Sequence, residues 1–353
     1  MKNERYYYSI MSPEEKNAYK LIYNALKMRA YNIAVPNTIT ADRVQEIYID
    51  VLFDTPLFFF VNQRVVKMNM QYDQWVLYPE YLYTASEAAA ITADIRKKVN
   101  KVVDGAKSFL NNIFRLEKYL HDSVVKSVAY DYEALSKDDC FNAHSIVGAF
   151  LENKAVCEGI AKAFKLLCNE FGLKCIVVVG KADPECNFNK DTYHAWNIVK
   201  IGEESYHVDV TWDNLYDKEI RHISYDYFNL TTEDILLDHR PLGNLPLCNS
   251  TTLNYFYCTN SFISSYEELV ELIDNRYESK EIMFRIKKDS VEFQRSDEIK
   301  EKTMAAVLHV MSKNMKPKPF TMLFNEPYKI GKIIFQLENQ KKIDLKKYPR
   351  SKK

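Results

Sequence analysis

The chain has 353 residues, 47% hydrophobic and 27% charged, a balance that excludes a disordered chain and leaves room for about two or three domains. Lys and Arg together number 48, as do Asp and Glu, so net charge gives no reason to invoke nucleic acid or a membrane surface. Seven cysteines, odd in number and scattered, argue against a disulfide framework and for a reducing compartment, with the cytoplasm as the default.

The start, "MKNERYYYSIMSPEEK", lacks the apolar stretch of a signal peptide, and no run reaches the roughly 18 apolar residues of a membrane-spanning helix. Secretion of a chain whose leader has been removed stays open. In "SPEEKNAYKLIYNALKMRA", Ser12 caps, Pro13 fits the first helical position and Glu15 completes a capping box. The apolar stripe is Ala18, Leu21, Ile22, Ala25 and Leu26. A second helix is expected over 41–53, with Val44, Ile47, Tyr48 and Val51 inward. The segment 56–83 reads as extended and aromatic, with "PLFFFV" at 56–61 a buried strand and Pro79 an interruption. A long helical stretch begins at Ser86, bends near Gly105 and runs to about 128.

Helix and strand signals alternate from about 105 to 245. Behind Cys157, the residues Ile160, Ala163, Phe164, Leu167, Cys168 and Phe171 recur at helical spacing, and Gly172 is placed to cap the helix. Cys157 therefore occupies the first turn, where unpaired N–H groups and the macrodipole stabilise a thiolate. The "CEG" sequence adds a glycine that permits close backbone approach. Cys168, on the packed face, is assigned to the core. A buried strand, 175–180, follows. Two alternating runs, 193–201 and 205–212, then flank a Gly-Glu turn signal and predict a hairpin. With an even-length loop such as Gly202–Glu203, directly paired positions sum to an odd number, which places His194 and Asp209 on one face. Cys157, His194 and Asp209 then supply a nucleophile, its base and the base's orienter. Trp196 shares the face of His194 and is placed to shield it. His207 is the competing histidine. The C-terminal hundred residues read as a small α+β unit: a capped helix in "SSYEELVELI", strands in "EIMFRI" and "VEFQR", a helix over 297–313, then strands in "FTMLF" and "KIGKIIFQL". The basic stretch 341–353 reads as a solvated terminus.

Taken together, "AVCEGIAKAFKLLC", "HAWNIVKI" and "YHVDVTWDN" resemble the transglutaminase-like superfamily of papain-type cysteine enzymes, in its bacterial branch, over roughly residues 110–240. "DTPLFF" at 54–59 resembles, less closely, the regions that precede such cores. One departure is Ile160, where many relatives carry tyrosine. The resemblance implies an α+β chain with a papain-like core, in which a nucleophile-bearing helix packs on an antiparallel sheet. A helical N-terminal region (1–104) and a small α/β C-terminal domain (250–353) would flank the core at 105–249. It further implies Cys157, His194 and Asp209 as catalytic residues, with Trp196 and Glu158 at the substrate pocket or shielding it. The expected reaction is acyl transfer on an amide through a thioester, with hydrolysis favoured over transamidation or deamidation, on a protein or peptide substrate. No cofactor, metal, nucleic acid or membrane partner is expected, since there is no Gly-rich phosphate loop, H-E-x-x-H or C-x-x-C. The alternative is a non-catalytic binding or scaffold protein that retains the fold.

Overall fold

A computed structural model describes residues 5–63, 67–137, 139–186, 188, 192–214 and 222–335. The N-terminal part holds α1 (Tyr6–Ile10), α2 (Pro13–Lys27), β1 (Ile33–Pro36), α3 (Ala41–Asp54), β2 (Lys67–Gln71) and β3 (Gln74–Tyr78). Helix α2 starts on the expected capping box: Ser12 Oγ accepts from Glu15 N–H at 3.2 Å, and Ser12 N–H donates to Glu15 Oε2 at 2.8 Å. Its buried stripe is rotated from expectation. Tyr19 is inward and Leu21 is 38% exposed, because the Tyr19 hydroxyl is drawn to the buried Asp54 carboxylate at 3.1 Å. Helix α3 buries Val44, Ile47, Tyr48 and Val51 as its periodicity predicts. The run 56–61 is not a strand. Pro56 opens a 3₁₀ turn over Pro56–Phe58, and Phe58 N–H closes it on Thr55 O. A short apolar run carries no period that separates the two states.

Helix α4 (Ala85–Ala106) begins on a Thr84/Glu87 capping box, passes through a 3₁₀ turn at Lys107–Phe109, and is followed by α5 (Ile113–Ser127), capped by Asn112. The seam expected near 104 falls inside α4, whose Ala88, Ile95, Val99 and Ala106 pack into the central core. Next come β4 (Ala129–Tyr130), β5 (Lys154–Ala155), α6 (Cys157–Glu170), β6 (Lys174–Ala182), β7 (Thr192–Ile201), β8 (Glu204–Val208), α7 (Val210–Asp213), α8 (Thr232–Ile235) and β9 (His239–Pro241). Strands β8-β7-β6-β9 form one sheet, antiparallel throughout, and α6 lies against β6 and β7. The helix ends where expected, with Gly172 at φ +72°. Cys168 is fully buried in the core.

The C-terminal part comprises α9 (Tyr255–Cys258), β10 (Phe262–Ile263), α10 (Tyr266–Asn275), β11 (Glu281–Ile286), α11 (Ser296–Asn314), β12 (Phe320–Asn325) and β13 (Ile330–Phe335), with sheet order β10-β11-β13-β12. "VEFQR" joins no ladder: Phe293 is buried, whereas Val291 is 80% exposed, so the segment anchors through one ring. The end of "KIGKIIFQL" beyond 335 and the basic stretch 341–353 lie outside the described residues. This part has its own apolar core. It also meets the central part through buried charge: Arg285 grips Asp234 at 2.7 and 3.1 Å, and Lys332 reaches Asp226 at 2.7 Å. Among the described residues no helix is long and apolar enough to cross a membrane.

Helix α5 buries two carboxylates against the 209–229 segment. Burial pushes Glu117 up to about 7, opposed by the Asn229 amide that donates to Oε2 at 2.7 Å and by the charge of His121. Glu117 Oε1 and Asn229 Oδ1 are both left without a donor. A carboxyl whose pKa rises on folding costs stability as pH climbs from its unfolded value, here 4.5, through its folded one. Glu117→Gln removes that charge and supplies an amide donor. It is expected to raise the melting temperature at pH 8, by a free energy of about 1–2 kcal/mol, and to have little effect at pH 5. Thermal melts of both proteins across this range check it.

Candidate active site

Strand β5 pairs in parallel with β4, and Val156 N–H bonds Ala143 O at 3.0 Å, which holds the chain extended up to the residue where α6 begins. That residue is Cys157, half-buried. The helix start then presses directly on backbone. A Cβ on Gly159 would lie 2.4 Å from Ala143 O and 2.9 Å from Ser145 O, so the glycine of "CEG" is required by close approach. Glu158 anchors the same turn. Its carboxylate accepts from Lys162 at 2.8 Å and lies 3.1 Å from His144 Nδ1; although burial opposes ionisation, these two hold its pKa down at about 2. Glu158 is thus engaged as an anchor of the helix rather than at the cleft described below.

Ile201 pairs with Glu204, leaving Gly202–Glu203 as the two-residue loop, with Gly202 at φ +61°. His194 and Asp209 consequently lie on one face, and their side chains meet: His194 Nε2 donates to Asp209 Oδ2 at 2.7 Å. The second strand is shorter than expected. It stops at Val208, because Asp209 Oδ1 accepts from Thr211 N–H at 2.9 Å and Trp212 N–H at 3.2 Å and so caps α7. One carboxylate both ends the strand and holds the histidine. Burial favours its neutral form, yet His194 and then His239 hold its pKa far below the usual carboxylate range. On His194, burial opposes the charged ring, but Asp209, followed by a hydrogen bond and charge interaction with Cys157, pushes its pKa up to about 10. The three residues picked from the sequence are therefore brought together.

Trp196 is fully buried, stacks near His194 at 5.9 Å between ring centroids, and donates its indole N–H to His207 Nδ1 at 3.1 Å. Burial, then the charge of His239, lowers His207 to about 3. A neutral ring that accepts from tryptophan is not available as the base.

Three neighbours were not legible in the sequence. Tyr130, placed by β4, hydrogen-bonds the Cys157 sulfur; burial and then the charge of Cys157 push its hydroxyl above the ordinary tyrosine range. Trp212 packs 5.5 Å from the His194 ring and 4.4 Å from that of His239. His239 enters because β9 pairs with β6, Ala182 opposite His239, and its Nε2 lies 3.2 Å from Asp209 Oδ2. No motif marks it; only the pairing of a distant short strand brings it in. Among the described residues, His194, Asp209 and His239 are the one group whose donor atoms, all within 4.8 Å, lie close enough to share an ion. Both imidazole–carboxylate contacts have hydrogen-bond lengths.

A cleft of about 730 Å³ opens between the N-terminal helices and the sheet; Cys157, His194 and Asp209 do not line it. Tyr7, Ile49, Phe53 and Val179 line it and also pack in the cluster that contains Cys157. Asp42, Glu46 and Asp50, successive turns of α3, form one polar wall, with Leu242 and Asn244 among the residues facing it.

Residues 96–212 match the family model of the transglutaminase-like superfamily, a span that contains Cys157, His194 and Asp209. Among solved structures, the chain is similar to one described as the crystal structure of a TGase, with 16% identity, 47% of this chain and 48% of that one covered, and a TM-score of 0.30. It is also similar to a putative cysteine protease from Cytophaga hutchinsonii, with 14% identity, 42% and 61% covered, and a TM-score of 0.25. A third is menin, in a structure said to reveal the binding site for Mixed Lineage Leukemia protein, at 12% identity, 65% and 52% covered, and a TM-score of 0.22. The chain thus spans about half the length of the first of these. No curated protein matches it.

Asp209→Asn is expected to drop the His194 pKa from about 10 towards or below 6.5, followed by NMR titration of the ring. The sign follows from linkage. His194 is raised by folding, so its contribution to stability is complete below about 6.5 and is lost as pH rises through about 10. Asp209 is lowered, so its contribution holds above 3.8 and is lost only as pH falls through its folded value. Gly159→Ala is expected to cost about 1–3 kcal/mol in denaturant unfolding, the usual penalty for overpacking, because the opposing atoms are backbone.

Proposed function

From the transglutaminase-like core in residues 96–212, we propose that this protein is a cysteine-dependent enzyme acting on amide bonds of a protein or peptide. The observation that supports the reading is the buried imidazole of His194, which donates to the Asp209 carboxylate and whose pKa is raised by Asp209 and then by Cys157, the residue at the start of α6. In this reading the Cys157 thiol gives its proton to His194 as its sulfur attacks the amide carbonyl carbon, and the carbonyl electrons move to oxygen. Backbone N–H groups of the first turn of α6 face the developing oxyanion. His194 gives its proton to the departing nitrogen, the C–N bond breaks, and a thioester remains. Water then loses a proton to His194, attacks the thioester carbon and releases the acid, returning the thiol. Asp209 fixes the ring's tautomer and stabilises its charged form throughout.

Iodoacetamide labelling with mass-spectrometric readout of each cysteine tests the proposal. Cys157 is expected to label at least about tenfold faster than the other six at pH 7, and His194→Ala to remove that advantage. With a peptide library as substrate, Cys157→Ala is expected to abolish cleavage. Equal labelling of all seven would sink the enzyme reading and favour a scaffold that keeps the fold. Reactivity that appears only after chelator treatment would instead favour an ion shared by His194, Asp209 and His239.

A further inference from the structure

Asp209 Oδ2 serves two imidazoles, one of which, His194, is also influenced by Cys157. His194 Nε2 lies at 2.7 Å and His239 Nε2 at 3.2 Å. Asp209 is held ionised, and an ionised carboxylate only accepts, so both nitrogens present N–H to it. The second imidazole has its own support. Its Nδ1 is 2.6 Å from Asp238 Oδ1, and Asp238 in turn accepts from the Tyr227 hydroxyl at 2.6 Å and the Tyr328 hydroxyl at 2.7 Å. His239, Asp238, Tyr227 and Tyr328 are all at most 2% exposed. Tyr328 sits in the turn between β12 and β13, more than a hundred residues from Asp209 in sequence.

We propose that His239 is a positioning residue for the Cys157–His194 pair and that Asp238 and Tyr328 extend this support to the C-terminal part of the chain. The inference rests on the reading of Cys157 as nucleophile. A carboxylate with one imidazole partner can rotate about its last side-chain bond. The two backbone donors on Oδ1 and the second imidazole on Oδ2 leave His194 a single direction in which to find its acceptor. Ring orientation then fixes where the other nitrogen points, which is at the thiol. The hydroxyl of Tyr328 makes the β12–β13 turn a member of this support, so residues beyond 250 contribute to the site without lining it.

The test uses the full chain and iodoacetamide. His239→Leu removes the donor to Asp209, and His239→Gln keeps an N–H donor at similar reach. His239→Leu is expected to slow Cys157 alkylation about tenfold or more, whereas His239→Gln stays within about threefold of wild type. Tyr328→Phe is expected to slow it about threefold and to shift the downfield imidazole N–H resonance of His194. A folded His239→Leu protein with wild-type alkylation overturns the proposal. Equal loss in the Leu and Gln variants does so too, since packing alone would explain it. If His239→Leu does not fold, Tyr328→Phe decides: unchanged alkylation together with an unchanged His194 resonance overturns the proposal. An inert Cys157 in the wild type overturns the nucleophile reading and this inference with it. A reactive wild type with unaffected variants overturns this inference only.

Discussion

Asp209 has no contact with solvent, and an ionised carboxylate in such a place costs several kcal/mol unless donors replace the water it has lost. Four do so: two backbone N–H groups of the turn it caps and two imidazoles from different strands. Meeting that requirement shapes the surroundings. The ladder of β8 has to end at Val208 so that the chain can curl back on the carboxylate. The hairpin register must deliver His194 to the same face, and β9 must lie beside β6 to bring His239 within reach. Remove the charge, and each of these features loses part of its reason.

The thiol is placed by different means. Its position is set by backbone packing, through Val156 on Ala143 and Gly159 on the carbonyls of residues 143 and 145, and by the contacts of Glu158 with His144 and Lys162. Cys157 is thus placed by shape and His194 by electrostatics. Two independently built halves meet at the imidazole of His194.

Local signals explain what the sequence revealed. The capping box at Ser12, helical periodicity behind Cys157 and the Gly202 turn are short-range features, and each folds as its chemistry dictates. His194 and Asp209 fall on one face, as their parity requires, because a two-residue loop fixes register. What escaped was non-local. Tyr19 is turned inward by Asp54, 35 residues away. The phenylalanine run at 58–60 carries no period, so its 3₁₀ turn was read as a strand. His239 and Tyr130 reach the site through pairings of two or three residues, β9 on β6 and β4 on β5, which are too short to leave a pattern. The partners of Glu158, His144 and Lys162, are likewise not announced by the sequence around Cys157.

The joints between the central and C-terminal parts bear on how such a chain tolerates being shortened. Arg285 with Asp234 and Lys332 with Asp226 are ion pairs with almost no exposed surface. Separating the two parts would strand single charges in what had been an interior, a far larger penalty than parting an apolar seam. The C-terminal residues are therefore no detachable appendage: a chain ending near 250 would keep Asp226, Asp234 and Asp238 while losing the arginine, the lysine and the tyrosine that neutralise or bind them. Evolution could exchange such a segment only by changing both sides together, and a protease that clipped it would leave the remainder prone to collapse.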